Sequence, residues 1–175
     1  MKIFKNLSLN GTITDVVSDG GIISSIGKTT ENGIDFGGKK AYAGLIDIHT
    51  HGIGGVDTMD AELEKMAPLY AACGTTSFYP TTMTASHDDI VRVLSSRTDV
   101  RGASVEGFHL EGPYINEKYR GAQSTEYVRN PDITEFCDFD NIKIVTLAPE
   151  LDGAAEYIKK SSAVVCAGHT AADYN

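Results

Sequence analysis

From residue 41 onward, short apolar segments alternate with segments of helical periodicity, and this alternation constrains the fold more than any other feature of the sequence. Strands are predicted over five segments: 43–49, 77–79, 103–110, 142–147 and 163–167. Helices are predicted over 62–73, 86–97 and about 152–160. Apolar strands that alternate with helices are typical of parallel βαβ units. The sequence therefore predicts an α/β fold with about five strands of a parallel sheet.

The first forty residues have a different texture, with many turn signals and no helical period. Asn10-Gly11 and Asp19-Gly20-Gly21 separate three strand candidates at 3–9, 12–17 and 22–26. We therefore expect a small β domain over residues 1–42, followed by the α/β domain over residues 43–175.

Charge and hydropathy restrict the classes of partner. The formal net charge is −9, and no basic stripe is available to offset nucleic-acid phosphates, so a nucleic-acid partner is not expected. A phosphorylated small substrate is compatible, since it needs only a few local donors. No apolar run approaches the ~20 residues that cross a bilayer. Because the N-terminus also lacks the apolar stretch of a signal peptide, no membrane association and a cytoplasmic location are expected.

The three cysteines, Cys73, Cys137 and Cys166, are odd in number and widely spaced. This arrangement does not suggest a disulfide framework. Cys73 lies in an apolar helical pattern and Cys166 in an apolar strand pattern, so buried, reduced thiols are predicted.

Two histidines follow the first apolar strand of the α/β domain. Side chains two residues apart in a strand point to the same face, so His49 and His51 project together from its carboxyl end. Active sites of α/β folds gather at that end, and two imidazoles at this spacing can bind one divalent ion. The alternative is a pair of surface histidines; the apolar strand before them and the glycines after them favour metal binding.

Polar residues also end the later strands. Glu111 follows strand 103–110 and is a natural third metal ligand, although a solvated loop glutamate is the alternative. His109 faces the same way and is interpreted as a packed or supporting histidine. His169 follows strand 163–167. Glu150 follows strand 142–147, where a turn residue and a residue that frames the site are equally compatible, while His87 is expected on the surface.

At these residues the chain resembles the amidohydrolase superfamily and, within it, the N-acetylglucosamine-6-phosphate deacetylase family. The resemblance rests on five elements in matching order and spacing: Gly-Leu-Ile-Asp-Ile-His-Thr-His-Gly (44–52), His-Leu-Glu-Gly-Pro-Tyr-Ile-Asn (109–116), Gly-Ala-Gln (121–123), Leu-Ala-Pro-Glu (147–150) and Ala-Gly-His-Thr (167–170). His-x-His alone marks the superfamily, whereas His-Leu-Glu-Gly-Pro followed by Gly-Ala-Gln or Gly-Ala-His is much more specific.

The resemblance implies a (β/α)8 TIM-type barrel, of which about the first five β/α units are present, with a small β-sandwich-like domain. It implies that His49 and His51 bind one divalent ion, that Glu111 binds or bridges the metal, and that His169 binds the other ion. Ala122 and Gln123 would contact the sugar, although some members carry His in place of Gln123. It further implies one or two zinc or iron ions per subunit, a homodimer, and metal-dependent hydrolysis of N-acetylglucosamine 6-phosphate in amino-sugar catabolism.

The family's general-base aspartate and another metal-binding histidine come from later barrel strands. The resemblance therefore implies that both lie beyond residue 175, and that these 175 residues are the N-terminal portion of a longer protein. On that interpretation the chain lacks parts of both the barrel and the catalytic machinery.

Two other functions are compatible with the motifs. A dihydroorotase-like or deaminase-like amidohydrolase would usually bridge its metals with a modified lysine at a strand end, where this sequence offers Glu111. A non-catalytic metal-binding remnant would keep the ligands without the base, and would bind metal tightly without hydrolysis.

Overall fold

A computed structural model describes residues 1–173 of the chain, which divides into two compact units, Met1–Ala43 and Gly44–Asn175. The first unit contains four strands: β1 (Lys2–Leu9), β2 (Thr12–Asp19), β3 (Ile22–Ile26) and β4 (Ile34–Asp35). They form one sheet in the order β3-β2-β1-β4, in which only the β1–β4 pair is parallel.

The turns of the first unit follow from residues that tolerate positive φ. Asn10 and Gly11 connect β1 to β2 with φ of 48° and 84°, and Gly20 and Gly21 connect β2 to β3 with φ of 57° and 84°. Two consecutive positive φ values match the right-handed twist of a two-residue hairpin, and Asn and Gly adopt them at low cost. The turn signals therefore predicted both hairpins correctly.

The second unit is an α/β arrangement. Its strands are β5 (Leu45–Thr50), β6 (Gly52–Ile53), β7 (Val56–Asp57), β8 (Thr75–Pro80), β9 (Ser104–Val105), β10 (Phe108–Glu111), β11 (Ile142–Leu147) and β12 (Val164–Ala167). Its helices are α1 (Leu63–Ala72), α2 (His87–Leu94) and α3 (Ala154–Lys160). None of the helices within residues 1–173 is long and apolar enough to cross a membrane.

The main strands of this unit are parallel, as predicted. They form the sheets β5-β8-β9 and β10-β11-β12, and β6 pairs only with β7 in a hairpin. A parallel bridge between Thr81 and His109 continues the order from the first sheet to the second. The carboxyl ends of β5, β8, β10, β11 and β12 therefore lie along one edge.

Buried apolar residues from the helices and the sheet form a single cluster. Phe78, Phe108, Leu110 and Leu147 are fully buried contributions from the strands. The helices add further fully buried residues: Leu63, Met66, Ala67, Ile90 and Val93. The helices and strands of this unit therefore share one buried core.

Two predicted elements are shorter or interrupted. The helix predicted to reach residue 97 ends at Leu94, because Ser96 donates its hydroxyl to the Val93 carbonyl (2.6 Å) and competes with helical hydrogen bonding. Its start was predicted correctly, since the Ser86 hydroxyl accepts from the Asp89 N–H (3.2 Å). The strand predicted over 103–110 breaks at Gly107, whose φ of 144° leaves the extended region.

The prediction of buried cysteines was wrong. Cys73, Cys137 and Cys166 are all free and exposed in the described chain. Cys73 caps the carboxyl end of α1, beyond the last buried turn of that helix. Cys166 lies on β12, which is paired on one side only among the described strands, so apolar neighbours in sequence did not imply burial.

The long segment between β10 and β11 is held by a charged cluster. Glu135 pairs with the Arg129 guanidinium through both carboxylate oxygens and accepts the Tyr114 hydroxyl (2.7 Å). His87, at the start of α2, lies 3.2 Å from the same carboxylate and stacks on Phe136. Burial favours a higher pKa for Glu135, but these three partners outweigh it and lower the pKa. The cluster thus attaches the segment to α2 and β10.

Replacing Glu135 by glutamine is expected to destabilise the chain by about 2–3 kcal/mol at pH 7, because Arg129 would lose its partly buried counter-charge. Since the folded-state pKa of Glu135 is lowered, its contribution is present above the unfolded pKa of ~4.3. That contribution disappears as the pH falls through the folded-state pKa. Urea unfolding of both proteins from pH 7 to pH 3 measures this, and a difference that does not shrink in acid would contradict the assignment.

Candidate metal centre

The carboxyl end of β5 presents His49 and His51 on one side of the strand and Thr50 on the other. Thr50 is buried, its N–H donates to the Thr81 hydroxyl (2.9 Å), and its own hydroxyl contacts the Tyr70 hydroxyl. The two imidazoles therefore emerge together, with Nε2 atoms 3.2 Å apart. The alternation of a β-strand produces this convergence, as the sequence predicted.

The orientation of His51 is fixed by a carbonyl. Its Nδ1 lies 3.1 Å from the Thr81 carbonyl oxygen, which can only accept, so the proton of the neutral ring lies on Nδ1. Nε2 lies 3.0 Å from Glu111 Oε2 and can donate to this carboxylate when the ring is protonated on both nitrogens. The hydrogen bond to Glu111 raises the pKa of His51, and it outweighs burial, which lowers that pKa. A backbone contact of this kind is the usual support of a metal-binding histidine.

Glu111 ends β10 and occupies the middle of the cluster. Only 5% of the residue is exposed. Burial would raise the pKa of its carboxyl, but the hydrogen bond with His51 and the nearby imidazoles of His49 and His169 lower it instead. The carboxylate is therefore ionised at neutral pH and is itself largely shielded from solvent, although the imidazoles of His49 and His51 beside it are partly exposed.

His169 contacts the Glu111 carboxylate oxygen Oε1, whereas His51 contacts Oε2. His169 follows β12 with a φ of 49°, a left-handed conformation that is uncommon for a residue with a side chain. Its Nδ1 donates to the Tyr119 carbonyl (3.0 Å), and its Nε2 lies 3.2 Å from Glu111 Oε1. Glu111 therefore lies among three imidazoles: its Oε2 faces His51 (3.0 Å), and its Oε1 lies 3.2 Å from His169 and 3.7 Å from His49.

Glu150 holds the backbone around His169. Its carboxylate accepts from the Ala171 N–H (2.7 Å), the Asn116 amide (2.8 Å) and the Thr170 hydroxyl. Desolvation tends to raise the pKa of Glu150, but these hydrogen bonds lower it to about 2. Asn116 also donates its N–H to the His169 carbonyl (2.9 Å). The structure therefore favours Glu150 as a residue that supports the backbone of the site over Glu150 as a simple turn residue.

His109 is close to the cluster but both of its ring nitrogens are engaged. Nδ1 donates to the Ile48 carbonyl (3.0 Å), and Nε2 lies 2.7 Å from the Thr146 hydroxyl. Burial lowers the pKa of His109, so the ring is neutral at pH 7. The ring packs edge-on against His49, with centroids 4.9 Å apart. The interpretation of His109 as a packed, supporting histidine is confirmed.

The donor set fits a divalent metal ion. The ligand atoms of His49, His51 and Glu111 all lie within 4.8 Å of one another. The separations are 3.2 Å between the two Nε2 atoms, 3.0 Å from His51 to Glu111, and 3.7 Å from His49 to Glu111. Neighbouring ligands of a tetrahedral ion at ~2.0–2.1 Å are themselves about 3.3 Å apart. This group could therefore hold an ion with only small shifts.

Gln123 and Ala122 lie on the segment between β10 and β11. Gln123 is buried, its amide oxygen accepts the Thr84 N–H (2.6 Å), and its amide nitrogen donates to Glu111 Oε2 (2.9 Å). Ala122 is exposed beside it. Sequence reasoning missed the contact from Gln123 to Glu111, because the two residues lie on different elements and no periodicity relates them.

Comparisons with known proteins show what the chain is similar to. No protein-family model matches the chain. The N-acetylglucosamine-6-phosphate deacetylase of Bacillus subtilis (strain 168) is 40% identical over 149 residues, which cover 74% of this chain and 38% of that protein. The protein of the same name from Vibrio furnissii is 38% identical over 178 residues, covering 90% of this chain and 45% of that protein.

A solved structure shows the same fold. The crystal structure of N-acetylglucosamine-6-phosphate deacetylase from Thermotoga maritima superimposes with a TM-score of 0.80 at 29% identity. The alignment covers 96% of this chain and 48% of that one. The chain therefore spans about half the length, or less, of the relatives that it matches.

Proposed function

We propose that this chain, which is homologous to N-acetylglucosamine-6-phosphate deacetylases over most of its length, serves the same reaction. That reaction is the metal-dependent hydrolysis of the acetamide of N-acetylglucosamine 6-phosphate to glucosamine 6-phosphate and acetate. The observation that carries the proposal is the convergence of His49, His51 and Glu111 at the carboxyl edge of a parallel sheet. Active sites of α/β folds lie at this edge.

The residues of the cluster have distinct roles in this proposal. A bound divalent ion polarises a substrate carbonyl and lowers the pKa of water. His51, oriented by the Thr81 carbonyl, and His49 would each offer Nε2 to the ion. Glu111 would supply negative charge from a buried carboxylate, and His169 would supply a further nitrogen near Glu111 Oε1. We propose these four as the metal ligands.

We also propose that the second unit forms part of a (β/α)8 barrel. Its strand order is that of successive parallel βαβ units. Leu45, Ile46 and Ile48 on β5 and Val164 on β12 are exposed in the described chain. Apolar residues on terminal strands of a parallel sheet are typical of strands that pack against further elements in a closed barrel.

The remaining parts of the proposal rest on the resemblance in sequence. They are zinc or iron as the ion, one or two ions per subunit, contact of Ala122 and Gln123 with the sugar, a homodimer and a cytoplasmic location. The phosphorylated amino sugar is proposed as the substrate because the homologues are named as deacetylases of N-acetylglucosamine 6-phosphate.

The test is acetate release from N-acetylglucosamine 6-phosphate by the natural polypeptide that contains this chain, with zinc or ferrous iron supplied. We expect release that a chelator stops and that falls at least ~100-fold in His49→Ala, because a ligand is lost. The matched control is His87→Ala, since His87 belongs to the cluster around Glu135 and does not contact the metal ligands. That variant should keep its activity.

The outcomes separate the alternatives. Tight metal binding without acetate release would favour the non-catalytic remnant. Metal-dependent opening of a cyclic amide, or hydrolytic release of ammonia from an amine, in place of acetate release would favour another amidohydrolase. Activity that persists in His49→Ala would show that the cluster is not the catalytic centre.

A further inference from the structure

Gln123 is held in a single orientation by groups at both ends of its amide. The residue is 3% exposed. The Thr84 N–H is a donor, so only the amide oxygen of Gln123 can face it, at 2.6 Å. The amide nitrogen must then face Glu111, and it donates to Oε2 at 2.9 Å. The direction of the hydrogen bond to Glu111 is therefore fixed by chemistry.

The backbone at both ends of this bridge is also fixed. The Arg120 guanidinium donates to the Gln123 carbonyl (2.8 Å), and the Gln123 N–H donates back to the Arg120 carbonyl (3.1 Å). At the other end, Gly112 follows Glu111 with a φ of 67°, and any Cβ there would overlap the Thr84 hydroxyl. Thr84 thus packs directly against Gly112, the residue after Glu111. Gln123 therefore links two neighbouring segments, one that carries Thr84 and one that carries Glu111.

We propose that Gln123 is a positioning residue for Glu111 and sets the affinity of the site for a divalent ion. Its amide occupies one acceptor position of Oε2, while Oε1 faces His169. The carboxylate is thereby held with both oxygens directed toward the imidazoles. A glutamine is suited to this role because its amide stays neutral at every pH and donates a proton without adding charge. Hydrogen bonds to metal ligands typically change metal affinity by about 10–100-fold.

This inference rests on the proposed function, since it assumes that Glu111 is a metal ligand. It assigns Gln123 a role in supporting the metal site in addition to the proposed contact with the sugar. The most informative substitution is Gln123→Met, which keeps the length and burial of the side chain but removes both hydrogen bonds. The matched control is Asn141→Leu, which removes another amide hydrogen bond, to the Leu94 carbonyl (2.8 Å), outside the cluster.

The experiment measures zinc affinity by competition with a chromophoric chelator, and the visible absorption spectrum of the Co²⁺ form, for the natural polypeptide that contains this chain and for both variants. Thermal unfolding of the metal-free proteins is recorded alongside. We expect Gln123→Met to weaken zinc binding by about 10–100-fold and to alter the Co²⁺ bands. Asn141→Leu should lower the unfolding temperature while keeping zinc affinity within about twofold and the Co²⁺ spectrum unchanged.

The possible results are distinct. Wild-type affinity and spectrum in Gln123→Met would overturn the inference while leaving the proposed function intact. Absence of zinc binding by the wild-type natural polypeptide would overturn both. If Gln123→Met does not fold, Gln123→Asn replaces it: its shorter amide cannot reach both Thr84 and Glu111, so zinc affinity should again fall. Unchanged affinity in that variant would equally contradict the inference.

Discussion

Replacing Glu111 by glutamine is expected to reduce the affinity for a divalent ion by at least about 100-fold. Glu111 lies between three imidazoles and carries the negative charge of the cluster. Glutamine has nearly the same shape but is neutral, so the ion would lose its anionic ligand in a buried position. Equilibrium competition with a chromophoric chelator measures the change.

The matched control for this substitution is Glu106→Gln. Glu106 accepts the Ser77 hydroxyl (2.9 Å) and lies before β10, away from the carboxyl edge of the sheet. Its replacement removes the same charge from the same part of the chain, so zinc affinity should stay within about twofold. Equal losses in the two variants would mean that net charge, rather than ligation by Glu111, controls metal binding.

Replacing Phe78 by alanine is expected to destabilise the chain by about 3–5 kcal/mol. Phe78 is fully buried on β8 and stacks on Tyr70 of α1, with ring centroids 4.4 Å apart. The substitution leaves a cavity beneath that ring. The Tyr70 hydroxyl donates to the Gly52 carbonyl (3.2 Å), next to His51. A shift of the Tyr70 ring into the cavity would therefore also disturb the backbone beside this metal ligand. Urea unfolding followed by circular dichroism measures the effect.

The matched control for Phe78→Ala is Ile46→Ala. Ile46 lies on β5, the partner strand of β8, but is 65% exposed, so its truncation should cost less than about 1 kcal/mol. A loss in Phe78→Ala no larger than that of Ile46→Ala would contradict the assignment of the buried core.

The arrangement of strand ends was predictable because it depends on local periodicity. Apolar strands alternating with helices imply a parallel sheet, and the carboxyl ends of parallel strands share one edge. His49, His51, Glu111 and His169 each follow such a strand, so their convergence could be inferred before any geometry was known. Their role as metal ligands remains a prediction.

The supporting contacts were not predictable from the sequence. Gln123 and Tyr119 reach the cluster from the long segment between β10 and β11, which has no period to indicate which residues face inward. Glu150 could be either a turn residue or a framing residue until its hydrogen bonds to 170–171 were seen. The burial of Cys73 and Cys166 was mispredicted because apolar neighbours do not reveal which face of an element is covered.

The most direct test of the metal centre is an anomalous diffraction map at the zinc absorption edge, from crystals of the natural polypeptide that contains this chain, grown with zinc. We expect the strongest peak between His49, His51 and Glu111, at about 2 Å from the Nε2 atoms and a Glu111 oxygen. The same peak should be absent in crystals of Glu111→Gln. A strongest peak elsewhere, or an identical peak in that variant, would contradict the assignment of these residues as the metal centre.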